Sequence, residues 1–227
     1  MKTLSSIILF FLISSSYAQS LMAKIGDDRI DEILNKPIIV VLKNDSLING
    51  TLISANLMRG SLVNITIKLL DGSKQKIKPD QVKSLKVRIA KPIKFSIRDE
   101  AGNVVKDVTN SFIVFEHPYA SQKKPKPILM QLLNPGFDNQ IKIYADPNDN
   151  IDKSILIRGV QLSSGEIHSY LIAKNAEVIT IRPADYERKF EAMFGDCKAF
   201  MDSVQSDQKI IENLMAHLIL YERLCSH

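Results

Sequence analysis

The chain has 227 residues, 45% hydrophobic and 24% charged, with a formal net charge of +5. That apolar share builds one large core or two small ones and excludes a disordered polyelectrolyte. Two cysteines exclude a disulfide-dense scaffold, and 7% aromatics with no tryptophan disfavour an aromatic platform for sugars or nucleic acid.

Met1–Ala18 reads as a secretory signal peptide. Lys2 gives the positive start, and Ile7–Ile13 is an apolar run too short for a bilayer span, which takes about 20 residues. Ser16 and Ala18 are the small residues of a cleavage site before Gln19. No cysteine follows the run to take a lipid anchor, and no later stretch has the apolar length of a transmembrane span. The expected address is outside the cytoplasm: periplasmic, outer-membrane associated or secreted.

Residues 19–35 form a polar lead-in, and residues 36–91 are dense in β signals. Ile38–Leu42 is a β-branched run closed by the turn Lys43-Asn44-Asp45-Ser46. Leu47–Ser54 follows, with Gly50 marking a bend or bulge. In Leu62–Leu70 the residues Val63, Ile65, Ile67 and Leu69 alternate with polar ones, and Asp71-Gly72 is a hairpin turn. Lys74–Lys78 returns, and Pro79-Asp80-Gln81 turns the chain into Val82–Val87. Strands this short hide their edges best by curling into a small SH3-like or Sm-like barrel. The opening Lys36–Leu42 with Leu47–Leu52 resembles the first strands of the Sm fold, with Asp45 in place of the usual turn glycine. The Asp and Asn with which RNA-binding Sm proteins hold a base are not recognisable, so the resemblance implies a barrel rather than an RNA site.

Residues 92–182 read as a second antiparallel β segment. Strand candidates are Phe95–Arg98, Ser111–Glu116, Ile128–Leu133, Gln140–Tyr144, Ser154–Gln161, Ser169–Ala173 and Glu177–Ile181. Asp99–Asn103 is a hairpin loop, and Ala120–Pro127, with three lysines and two prolines, is a solvated surface loop. In residues 183–227 the period changes. Phe190, Met193, Phe194, Cys197, Phe200, Met201 and Val204 make one helix stripe. Ser206 caps a second helix, with Ile211, Leu214, Leu218, Tyr221 and Cys225 on its stripe. The expected fold class is α+β, mostly β: a small barrel, a β segment and a C-terminal helical hairpin packed on it.

The stretches "QLLNPGFDNQIKIYAD", "SYLIAKNAEVITIRPADYERKFEAMFGDC" and "LILYERLC" resemble secreted proteins of Bacteroidetes bacteria. There a small barrel or β segment precedes a helical tail with an F-x-D-C element and a terminal Y-x-x-x-C element. The matching positions are Phe194–Cys197 and Tyr221–Cys225. The resemblance implies an exported protein of the bacterial envelope and brings no catalytic residues.

In an oxidising compartment Cys197 and Cys225 are disulfide candidates. A simple hairpin turning at Ser206 opposes that pairing. Its second arm is longer by about ten residues, about 15 Å of helix axis, whereas the bond needs Cα atoms within about 7 Å. A break at Gly195-Asp196 restores contact, so a disulfide and two buried thiols both stand. Asp146, Asn148, Asn150 and Asp152 form a weak Ca²⁺ candidate, lacking the glycine and glutamate of an EF-hand loop. His117, His168, His217 and His227 are scattered without zinc spacing, and no nucleophile or phosphate-loop motif is present. No metal or other cofactor is expected. The functional expectation is an exported, non-enzymatic binding or structural protein whose partner is an envelope or extracellular protein, without nucleic acid. One alternative is a hydrolase-like enzyme with its site between the two β parts. Another is an Sm-like RNA-binding protein, at odds with export.

Overall fold

The computed structural model describes residues 27–98, 104–118, 128–148, 156–157, 160–161, 169–175 and 177–225. The segment read as a signal peptide with its Ala18–Gln19 junction, the residues read as the Asp99–Asn103 loop and those read as the Ala120–Pro127 loop lie outside them.

The first seven strands are β1 (Pro37–Leu42), β2 (Leu47–Met58), β3 (Ser61–Leu69), β4 (Lys74–Ile77), β5 (Val82–Arg98), β6 (Val104–Glu116) and β7 (Leu129–Leu132). They continue into β8 (Lys142–Ala145), β11 (Tyr170–Lys174) and β12 (Glu177–Ile181), while β9 (Leu156–Ile157) pairs with β10 (Val160–Gln161). The ten-stranded sheet has the order β12-β11-β8-β7-β6-β5-β1-β2-β3-β4. It closes on itself where Ser61 and Leu62 of β3 meet Met130 and Leu129 of β7. The closed ring is therefore β1, β2, β3, β7, β6 and β5, a six-strand barrel.

That ring draws two strands from the stretch read as a second β segment, so the barrel extends past residue 91, while β4 sits outside the ring on the edge of β3. The reason is core chemistry. Ile113 and Phe115 of β6 and Leu129 of β7 fill the same apolar cluster as Ile38, Val40, Leu52 and Ile67. Without them those side chains would face water.

Closure needs curvature, and bulges supply it. Along β2 and β3, Leu52 pairs with Ile67 but Ser54 with Thr66, and Asn56 pairs with Asn64 but Leu57 with Leu62. Ile53 and Val63 are the extra residues. The second bulge breaks the alternation read from the sequence: Leu62 enters the barrel, and Val63 packs outside it with Met130 and Tyr144. Gly50 is not at a bulge. A Cβ there would lie 2.5 Å from the Lys68 carbonyl oxygen, so glycine answers the close approach of β3. Beyond the ring, β5 and β6 run on as a long hairpin whose register breaks between Arg88 and Ile93, the segment holding Pro92. The far end of β6 places Val108 in the second core.

That second core lies between β8, β11 and β12 and the helices α1 (Tyr186–Phe194), α2 (Lys198–Ser203) and α3 (Leu214–Cys225). Ile143, Ile172 and Ile181 face Tyr186, Phe190, Phe194 and Leu218. Asn134, fully buried, ties the chain between β7 and β8. Its amide donates to the carbonyls of Phe137 (3.1 Å) and Ile141 (2.8 Å), and its oxygen accepts from the Ile143 N–H (2.8 Å).

The helical end differs from a two-helix hairpin. The first stripe breaks after Phe194: the Gly195 N–H bonds the Glu191 carbonyl at 2.7 Å, and Cys197 is extended (φ −116°, ψ 97°) before α2 begins. Ser206 opens a 3-10 turn, Ser206–Gln208, rather than capping the last helix. A second 3-10 turn, Ile211–Asn213, leads into α3 at Leu214. Among the described residues no helix is long and apolar enough to cross a membrane.

Candidate functional site

A disulfide joins Cys197 to Cys225 with their Cα atoms 6.0 Å apart. The arm-length mismatch that opposed this pairing is absorbed by irregular backbone. Val204 and Gln205 are extended, and an extended residue advances about 3.3 Å against 1.5 Å in a helix. Only α3 is then left to span the distance back, and its last residue reaches the start of α2.

The disulfide walls a cleft of about 560 Å³. Lys174, the last residue of β11, and Asn175 in the turn after it enter the cleft. Asp196 and Lys198 flank Cys197, Tyr221 and Leu224 come from α3, and Asn139 and Gln140 come from the loop before β8. The Lys174 ammonium donates to Asp196 Oδ1 (2.5 Å) and to the Met193 carbonyl (2.6 Å), and lies 4.4 Å from the centre of the Tyr221 ring. The Tyr221 hydroxyl donates to the same Asp196 oxygen at 2.9 Å. Gln140 donates to the Cys225 carbonyl at 2.9 Å, and Asn139 to Glu222 at 2.5 Å.

Partial burial pulls the Asp196 carboxyl up, but hydrogen bonds from Lys174 and Tyr221 and the nearby ammonium outweigh it and hold the group below the usual range. Burial, reinforced by the Asp196 charge, pushes the Tyr221 phenol up. Asp196 is thus a fixed anion at neutral pH, and Tyr221 a fixed hydrogen-bond donor. A general acid or base works best with a pKa near the working pH, and these two groups are moved away from it. The set offers orientation and polar contact.

Behind the cleft, His217 is buried among Tyr186, Phe190, Phe194 and Phe200. Its Nδ1 shares a hydrogen bond with the Tyr186 hydroxyl at 2.7 Å, and burial pushes its pKa down to about 4. His117, also buried, lies 2.6 Å from the Pro79 carbonyl through Nε2 and ties the turn before β5 to the end of β6. A second polar group sits on the strand side. Glu116 accepts from Lys142 at 2.6 Å and from the buried Tyr144 hydroxyl at 3.2 Å.

Of the calcium candidates, Asp146 is buried and accepts from Ser169 Oγ (2.7 Å) and the Asn148 N–H (2.8 Å), as a turn-forming aspartate does. Asn148 Oδ1 accepts from Arg59 at 3.4 Å. Their oxygens serve the turn and the β2–β3 connection. Asn150, Asp152, His168 and His227 lie outside the described residues, and among those described no group of three metal-ligating side chains comes together.

The sequence marks Asp196 and Tyr221 only as members of the two cysteine elements and does not bring them together with Lys174 as a site. They are far apart in the chain, and only the proximity of Asp196 to Cys197 and of Tyr221 to Cys225 hinted that the cysteines would gather them. No protein family, curated protein or solved structure matches the chain.

Proposed function

We propose that this chain is an exported, non-catalytic binding or structural protein of the bacterial envelope. In this reading a small SH3- or Sm-like barrel carries a disulfide-locked helical unit, and the cleft beside the disulfide is the contact site. The observation that carries the reading is the Cys197–Cys225 bond in the cleft wall. Such bonds persist in oxidising compartments and are rare in the cytosol, which agrees with the export-signal pattern of Met1–Ala18. The fixed ionisation of Asp196 and Tyr221 favours binding over proton transfer.

The test is photo-crosslinking in living source cells, with a photoreactive residue replacing Lys198, exposed at the cleft rim. A discrete adduct in the envelope fraction, absent when the probe replaces exposed Lys86 on the barrel, supports the reading. Adducts of equal yield and identity from both positions, or none from Lys198, contradict it.

A further inference from the structure

We propose that one end of the barrel docks on an anionic phospholipid surface. Leu70 is 91% exposed and Leu47 is 66% exposed. Both stand at the same end: Gly50 and Leu69 form the last rung of the β2–β3 ladder, Leu47 opens β2, and Leu70 follows β3. Neither packs into a core cluster. A lone exposed leucine is ordinary, so the weight lies on what surrounds this pair.

Lys68 and Lys74 face each other directly across β3 and β4, an arrangement that disfavours the sheet by like-charge repulsion. Lys76 stands opposite Thr66 on the same edge strand, and Lys43 is exposed in the turn between β1 and β2. Among the described residues none of these four ammonium groups has an ion-pair partner. The nearby acids offset them only in part. Asp45 is paired with Lys83 at 2.6 Å; Asp71, whose charge is kept by bonds from the Ser73 hydroxyl (2.6 Å) and N–H (2.8 Å), and Asp80 are exposed carboxylates, two against the four lysines.

Lysines on an edge strand deter strand pairing, but that role does not call for bare leucines at the tip. A soluble polyanion would use the lysines and leave the leucines in water. Exposed leucines beside lysines at one end of the barrel match the boundary between phosphate headgroups and acyl chains, where apolar burial and headgroup attraction add.

The test is co-sedimentation with vesicles of phosphatidylcholine alone and of equal parts phosphatidylcholine and phosphatidylglycerol. Wild type and variants carry the same N terminus, so any contribution of Met1–Ala18 cancels. Retention by the anionic vesicles only is expected. Each of Lys68→Gln, Lys74→Gln and Lys76→Gln should weaken it about fivefold, and Leu70→Asp about tenfold or more. Unchanged melting of Leu70→Asp checks that the fold is intact. Equal retention by both vesicle types overturns the proposal, as does wild-type retention of Leu70→Asp. Binding to heparin but to neither vesicle overturns it in favour of a soluble polyanion.

Discussion

His217 shows how one side chain sets a condition on the whole helical end. In the unfolded chain its imidazole titrates near 6.5, whereas in the fold burial lowers that to about 4. Between those values the unfolded state binds the extra proton, so stability is complete above pH 6.5 and falls as the pH drops toward 4. The full effect is about 3 kcal/mol. Thermal melting across this range should show a loss that His217→Phe flattens, although that variant also strands the buried Tyr186 hydroxyl and starts lower. An unchanged acid slope in the variant would place the sensitivity elsewhere. The stripe containing Leu214, Leu218 and Tyr221 was legible in the sequence because helix burial has a period. The histidine was visible only as one of four scattered ones, because its partners, Tyr186 and the phenylalanines, arrive from other helices. The meeting of Lys174, Asp196 and Tyr221 was hidden for the same reason: their contacts join a strand end, a helix break and a distant helix.

At the scale of elements, the disulfide holds the start of α2 to the end of α3 across 28 residues. Closing a loop of that length stabilises by about 3–4 kcal/mol in the chain-entropy account. Cys225→Ser, or reduction of the native protein, should lower the denaturant midpoint accordingly, as read by circular dichroism. An identical midpoint for the oxidised and reduced forms would show that the bond adds nothing to the fold. Its two ends were legible as candidates, but its geometry was not. The break at Gly195-Asp196 that the sequence offered is present between α1 and α2, but the extended residues and 3-10 turns around Ser206 replace the regular helices expected there. Within the barrel, β1 to β5 could be read from turns and alternation. The Val63 bulge could not, since nothing local distinguishes an extra residue from a paired one, and it reversed the facing of Leu62 and Val63.

At the scale of the molecule, the barrel is closed by strands that the sequence assigns to its neighbour. β7 is buried along its whole length, with Leu129 inside the barrel and Met130 and Leu132 in the outer cluster, so it lacks the alternation that betrays a half-buried strand. A chain ending at Lys91 lacks Ile113, Phe115 and Leu129 and should show no cooperative unfolding, whereas the full chain should. Cooperative melting of the short form would mean that the first five strands suffice. The same architecture binds the two cores into one sheet, with the β5–β6 hairpin reaching from the barrel to the helical unit, where the disulfide rims its cleft. Such bonds persist in oxidising compartments, and the proposed export is what the functional reading depends on most. Intact mass spectrometry of protein recovered from source-cell fractions, alkylated before and after reduction, tests it directly. The expected species lies outside the cytoplasm, begins at Gln19 and takes up alkylating reagent only after reduction. A cytoplasmic chain beginning at Met1, alkylated at Cys197 and Cys225 without reductant, would contradict the account.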